Sequence, residues 1–564
     1  MKRVFALILA VGLLAISSAA FAQRDTLNLI TFLDTGNFNP LFSANSLIQR
    51  LTWDSLFRVD GDTGLATSGL GLTSWDVSED GTVYTFYIDE AATWSDGVPL
   101  TSADIQYTLD AMTSPEVETW MASFFPPDLF TGFEVVDDKT FTVTITDLNC
   151  NLINSLFWFV PLPAHIYGPD PAGVNEHPAN AGGAGFVSSG PYTVVEYQAD
   201  EYVRLAANPY YRGGVPQIPN IIMRFEGDAT VSNLMLETGE IDFMRMTAAQ
   251  FDQLADPEQF VYYPVPNQFA TSLMLNPMDP ANPSAAYDED GNVLEQAVHP
   301  VLGDVRVRQA IALGYDKSLI LQSIREEGAG ELMTWMFHPL LTGWANNPEL
   351  SPTPFDPEAA AALLDEAGWT DADGNGVREC NGCETTEDGT PLAFTISYAP
   401  IYAEYANYAV IVQDQLGQLG FEVSINQLEY NALSTEYMRP QAFDAIVLSF
   451  GGFPADPSSL ANSFLLSTND IPGLGSNYIS VVDEEIDALL AEGLSVPSCS
   501  IEERAPIYHR IQEIGLENMY FGDWGFITND YLVVSRNIEG FVPTPLGGEG
   551  SEYNFIQQWT FAGN

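Results

Sequence analysis

A mixed α/β fold divided into two or three lobes is what this chain predicts, and three observations lead there. Segments of strand character alternate with segments of helical periodicity along the chain. Once an N-terminal export signal is set aside, about 540 residues remain, too many for one hydrophobic core. Hydrophobic residues make up 46% of the chain and aromatics 12%, ample for burial and inconsistent with disorder.

The chain opens MKRVFALILAVGLLAISSAAFAQ. Lys2 and Arg3 precede an apolar run from Val4 to Ile16, and Ala20-Phe21-Ala22 offers a small-residue cleavage site, so residues 1–22 read as a secretory signal peptide. The apolar run is too short to span a bilayer, and no later stretch of about 18 apolar residues follows. No Cys stands at the cleavage point to carry a lipid. A soluble protein outside the cytoplasm, secreted or periplasmic and without membrane insertion, is expected.

Thr26 to Phe32, Tyr84 to Ile88, Phe141 to Ile145 and Tyr202 to Leu205 read as strands from their β-branched and aromatic residues. Thr101 to Met112 reads as a helix, capped by Thr101 or Ser102, with Asp104 in the first turn. Asp356 to Glu366 is a second, with Asp356 as N-cap, Pro357 at the first helical position and Gly368 as the stop. Between them lies GDVRVRQAIALGYDKSLI (Gly303 to Ile320), where Asp304 caps a helix starting near Val305. At about 100° per residue, Val307, Ala310, Ile311 and Gly314 share one stripe, flanked by Arg306 and Arg308. Arginines so placed lay their stems on apolar surface and pair with carboxylates. Arg306, Arg308 and Lys317 are therefore expected to hold structure rather than ligand.

Charge narrows the function. Nineteen Lys plus Arg stand against 76 Asp plus Glu, a net −57, which repels nucleic acids and anionic membranes. Four cysteines are too few for a disulfide framework. Cys380 and Cys383 sit on a Gly-rich loop with no second pair or nearby His to complete a zinc site, so a local disulfide is expected. Cys150 and Cys499 pair only if the fold brings them together. Residues Asp371, Asp373 and Asn375 begin a calcium-loop pattern, but Gly382 stands where its bidentate Glu belongs. A Gly-rich turn is the reading, and neither cofactor nor metal is expected.

Several segments, in order, resemble the bacterial extracellular solute-binding proteins of family 5, the peptide-binding components of ABC importers, which also include nickel- and oligosaccharide-binding members. Gly71 to Leu109 (GLTSWDVSEDGTVYTFYIDEAATWSDGVPLTSADIQYTL) is similar to the family's most recognisable segment. Leu51 to Leu65, Ser188 to Gly213, Leu236 to Phe243, the Asp304–Lys317 stretch, Ala361 to Trp369, Phe443 to Pro457 and the region of Asp483 to Gln512 also resemble it. The resemblance implies a class II periplasmic-binding-protein fold with three lobes, two mixed α/β lobes closing on a ligand plus an inserted extra domain. Lobe I would comprise residues 23–57, 185–277 and 524–564, lobe II the insertion 58–184, and lobe III residues 278–523. A monomer that hands a small-molecule or peptide ligand to an ABC permease is implied.

In peptide-binding members an Asp just before an Asp/Glu-Pro pair holds the ligand's ammonium. Here Phe453 stands at that position and Asp456-Pro457 matches the pair. Without a carboxylate a buried ammonium loses roughly 3–5 kcal/mol unless another group replaces it. Asp456 is the substitute if the loop is displaced. Otherwise aromatic faces are the expected grip, from Trp335, Trp344, Phe450, Phe453 and Trp524, of which at least two should face the ligand. Asp34, Asn37 and Phe38 are candidate rim contacts on the first loop. Peptide is the default ligand, with an oligosaccharide or another neutral solute as the alternative. A secreted glycoside hydrolase is the rival class, but no Gly-x-Ser-x-Gly or His-Glu-x-x-His motif is present, five His are scattered, and no enzyme is expected.

Overall fold

The computed structural model describes residues 24–563 apart from 33, 35, 43–45, 60–65, 70, 120, 122–128, 157–158, 184, 289, 325–327, 341, 452–455 and 545–550. The expected signal peptide and Phe453 therefore lie outside the described residues. Among those described, no helix is long and apolar enough to cross a membrane.

From the N-terminus, β1 (Thr26–Thr31) and α1 (Ser46–Thr52) lead to β2 (Leu72–Val77), β3 (Val83–Ile88), α2 (Ser102–Thr113), β4 (Phe130–Asp137) and β5 (Thr140–Ile145). Then come β6 (Tyr192–Gln198), β7 (Tyr202–Ala207) and β8 (Asn220–Phe225). Two four-stranded sheets result, ordered β1-β8-β7-β6 and β2-β3-β5-β4. In β1, Leu27, Leu29 and Thr31 alternate inward, as a half-buried strand requires. Thr101 caps α2, its backbone N–H donating to Asp104 Oδ2 at 2.8 Å. One core joins both sheets and recruits Leu532, Val534, Trp559 and Phe561 from the far end of the chain.

The next elements are α3 (Ala229–Glu237), β9 (Phe243–Thr247), β10 (Phe260–Leu275), α4 (Val305–Leu313), α5 (Lys317–Ile324) and α6 (Pro357–Glu366). After them follow β11 (Ala393–Tyr398), α7 (Ala403–Gly417), β12 (Glu422–Gln427), β13 (Ala445–Gly451), α8 (Ser458–Leu465), α9 (Glu484–Ser495), α10 (Ile501–Glu517) and β14 (Asp523–Ser535). Their sheet runs β9-β14-β10-β13-β11-β12, with the short strand Gly330–Leu332 against β14. A second large core, from Ala270 to Ile527, packs α4 to α10 on that sheet, while Leu236 of α3 packs in a smaller cluster with Met244 and Met246 of β9 and Val533 of β14.

The basic cluster of the α4–α5 segment holds structure. Arg306 pairs with Asp304 at 2.6 Å, and Arg308 donates to the carbonyls of Leu302, Gly303 and Asn518. Lys317, 3% exposed, lies 2.8 Å from Asp523, which also accepts a hydrogen bond from the Tyr315 hydroxyl. Val307, Ala310 and Ile311 are buried along the predicted stripe.

Two neighbouring strands carry the chain between the cores. In β10, Val265 belongs to the N-terminal core and Ala270 to Leu275 to the C-terminal one. In β14, Trp524 to Ile527 belong to the C-terminal core and Leu532 and Val534 to the N-terminal one. The β10–β14 ladder slips between Pro266 and Ala270, where the chain passes from one core to the other. A bulge at a crossover loosens the pairing and lets the strands bend.

Candidate functional site

At that crossover a cleft of about 360 Å³ opens between the two halves. Its walls come from the end of β1, the start of α3, all of β9, the β10 crossover and the loop before α7. Three aromatic side chains on these walls stay exposed: Phe32 at 70%, Phe269 at 47% and Tyr402 at 45%. Phe269 is held by its backbone N–H, which donates to Asn267 Oδ1 at 2.9 Å. Large exposed apolar faces clustered in a concavity favour a ligand that covers them.

The polar floor is a charge cluster. Arg245 Nε donates to Asp530 Oδ2 at 2.9 Å, and its Nη1 lies 3.9 Å from Glu552 Oε2. Asn267 Nδ2 is 3.4 Å from both Asp530 oxygens. Burial raises the Glu404 carboxyl above its ordinary range, and the charge of Asp530 adds to the effect. Behind the floor, burial pulls the Arg50 guanidinium down to about 10, Arg58 adds to the fall, and Glu552 opposes it. Arg245 is the only basic residue among the described cleft-lining residues, and none of them is His or Cys. The arrangement offers apolar faces, hydrogen-bonding groups and acidic charge, which suit retention of a guest.

The residues singled out from sequence occupy other places. Asp34 ties its loop to β6 and the turn after it: its oxygens accept from the Tyr197 hydroxyl at 3.0 Å and from the backbone N–H groups of Gly36 and Asp200. Asn37 Oδ1 accepts from the Asn39 N–H. Phe38 is a core residue, edge-on to Phe186 and Tyr197. Trp335 and Trp524, each 1% exposed, are packed in the C-terminal core rather than the cleft. The indole of Trp335 lies against Gly515 and donates to the Tyr520 carbonyl; that of Trp524 stacks on Phe521. Phe450 packs edge-on to Phe464 and Phe521, touching only a small recess that it shares with His338, Asp456 and Gln268.

Asp456 is 1% exposed and is gripped by Arg504 in a fork, with Nη1–Oδ2 at 2.6 Å and Nη2–Oδ1 at 3.1 Å. Trp344 covers that guanidinium, 5.0 Å from its ring centroid. Both residues are thus committed to a buried ion pair, and Asp456 has no oxygen set aside for a ligand ammonium. Asp371, Asp373 and Glu379 do converge, their nearest oxygens within 4.8 Å of one another. Asp371, however, already accepts from the N–H groups of Gly374 and Gly376, and Asn375 bridges Asp373 and Glu379. Cys380 pairs with Cys383, and the fold brings Cys150 to Cys499.

The cleft residues missed from sequence are Phe32, Arg245, Asn267, Phe269, Tyr402 and Asp530. One signal was available: Arg245 interrupts the apolar strand FMRMT (Phe243–Thr247) in a chain with few cations.

Comparison with known proteins gives consistent findings. The family described as bacterial extracellular solute-binding proteins, family 5 Middle, matches residues 68–471. The oligopeptide-binding protein AppA of Bacillus subtilis is 24% identical over 536 residues, covering 93% of this chain and 89% of the relative. The nickel-binding periplasmic protein of Escherichia coli is 25% identical over 488 residues, covering 83% of this chain and 84% of the relative. Among solved structures, AppA from Bacillus subtilis in complex with a nonapeptide has a TM-score of 0.70 at 22% identity, over 96% of this chain and 99% of that one. NikA from Brucella suis in complex with Fe(III)-EDTA has a TM-score of 0.75 at 20% identity, over 95% and 99%. The mixed α/β, class II binding-protein fold expected from the sequence is the fold these neighbours share.

Proposed function

Because the chain belongs to the bacterial extracellular solute-binding proteins of family 5, we propose that it captures a peptide-like solute in the cleft and delivers it, chemically unchanged, to an ABC permease. The observation that carries this reading is the cleft itself, which at a two-strand crossover draws Phe32 from the end of β1, Arg245 from β9 and Tyr402 from the loop before α7. Closing the halves buries the aromatic faces on a guest that touches both, so the guest stabilises the closed form. With Asp456 tied to Arg504, a peptide ammonium would be met by the acidic lining of the cleft, to which Glu226, Asp530 and Glu552 contribute. Export through residues 1–22 and a monomeric state complete the proposal. The lobe division at residues 58, 185, 278 and 524 is part of the same reading.

The exposed aromatics favour one second reading, an oligosaccharide stacked on the same faces. Native mass spectrometry of the purified protein tests both. Peptide masses retained in one-to-one ratio support the first, sugar masses the second. Turnover of added peptides or oligosaccharides would overturn both.

A further inference from the structure

The Cys150–Cys499 disulfide joins the two halves across a sequence separation of 349 residues. Cys150 follows β5 of the N-terminal half, where Ile145, Leu152 and Leu156 belong to the N-terminal core. Its own side chain, by contrast, packs on the C-terminal core. Cys499 ends the turn between α9 and α10, at a φ of 49°, a conformation uncommon for a side-chain-bearing residue. The contact around the bridge is built from both sides. The Cys150 N–H donates to the Leu494 carbonyl at 2.8 Å, and Asn151 Nδ2 donates to Ser459 Oγ at 2.8 Å.

We propose that this bridge is a clasp that limits how far the cleft can open, a proposal that rests on the hinged-capture reading. Among the described residues, β10 and β14 are the two strands that cross between the cores, and they are adjacent in one sheet. Adjacent crossing strands with a slipped ladder act as a hinge that permits rotation in more than one direction. A third covalent tie away from those strands removes every rotation that parts Cys150 from Cys499. Their Cα atoms are 5.1 Å apart, and a disulfide tolerates a separation of no more than about 7 Å. The remaining motion is a swing about a line through the bridge and the crossover. No cleft-lining residue comes from the bridge segments, so the clasp acts on the amplitude of motion without touching the guest.

The test compares wild-type protein with C150S/C499S by small-angle scattering and amide hydrogen exchange. C380S/C383S, which removes the bridge inside the C-terminal half, is the matched control. Wild type and control should keep the radius of gyration of a compact chain of this length, roughly 24 Å. C150S/C499S should show a larger radius and about tenfold faster exchange at Asn267–Phe269, a free-energy change of about 1.4 kcal/mol. Equal radii and equal exchange in all three would overturn the proposal. If C150S/C499S does not fold, native reduction of C380S/C383S with a phosphine makes the same comparison. Unfolding there as well would overturn the clasp, since the bridge would then be holding the fold. Ligand retention is read separately by mass: wild type that retains no guest refutes capture alone, and a C150S/C499S protein that retains guest without opening refutes the clasp alone.

Discussion

Substituting Asp456 by Ala distinguishes a structural carboxylate from a ligand-binding one. The Arg504 side chain is 4% exposed and that of Asp456 1%, so the change leaves a guanidinium buried without its counter-charge. Losing one partner of such a pair costs roughly 3–5 kcal/mol. Arg504 keeps hydrogen bonds to the Gly493 carbonyl and Ser458 Oγ, both at 2.8 Å, and its contact with Trp344, which places the loss at the low end. About 3 kcal/mol lowers the melting temperature of a unit of 150–250 residues by roughly 6–12 °C. Replacing both partners, as D456L/R504M, removes the charge along with the hydrogen bonds and should recover most of that loss. Calorimetry of the three proteins reads the result. A D456A protein that melts within about 2 °C of wild type yet retains no guest would show that Asp456 serves the ligand, and would refute the reasoning.

His338 accepts at Nδ1 from the Leu340 N–H and so donates from Nε2 to the Asn267 carbonyl; burial pulls its pKa down to about 4. Its folded pKa lies below the unfolded value of about 6.5, so its contribution is complete above pH ~6.5 and is lost as pH falls through 4. Melting curves from pH 7 to 4 should show H338Q losing about 3 kcal/mol less than wild type over that range. Lys317→Met leaves Asp523 buried with the Tyr315 hydroxyl as its remaining strong donor, and the urea midpoint should fall by the equivalent of roughly 3 kcal/mol. Tyr402→Ala removes a half-exposed ring, so stability should change by less than about 0.5 kcal/mol, while affinity for the co-purified guest, measured by calorimetric titration, falls about tenfold. Millimolar calcium should leave the melting temperature within about 1 °C, because Asp371 is already satisfied by Gly374 and Gly376; a larger rise would make the loop a metal site.

Elements whose signals are local were legible in the sequence. The strand read at Thr26 to Phe32 is observed at Thr26–Thr31, and the helix capped by Asp356 runs Pro357–Glu366. The inward stripe of α4 and the structural role of Arg306, Arg308 and Lys317 also follow from periodicity and charge pairing alone. Which aromatic faces the cleft was not legible. Trp524 and Asp530 share one strand, yet the first is sealed by Phe521 and Phe450 and the second lines the cleft. That difference is set where β14 leaves one core for the other, a property of pairing with β10 rather than of local pattern. Phe269 escapes for the same reason: in the sequence it is one more apolar residue in a strand, and the ladder slip beside it decides its exposure.

The N-terminal core has a consequence for biosynthesis. Its first strand lies beside residues 220–225, but its packing also needs Leu532, Val534, Trp559 and Phe561. A chain delivered through a membrane from its N-terminus exposes the beginning of that core long before its last side chains arrive. The half that emerges first is therefore completed last, after the residues between the two crossings have been able to condense on their own. Truncating even the final six residues removes Trp559 and Phe561, so it should leave the beginning of the molecule, not its end, exposed to protease.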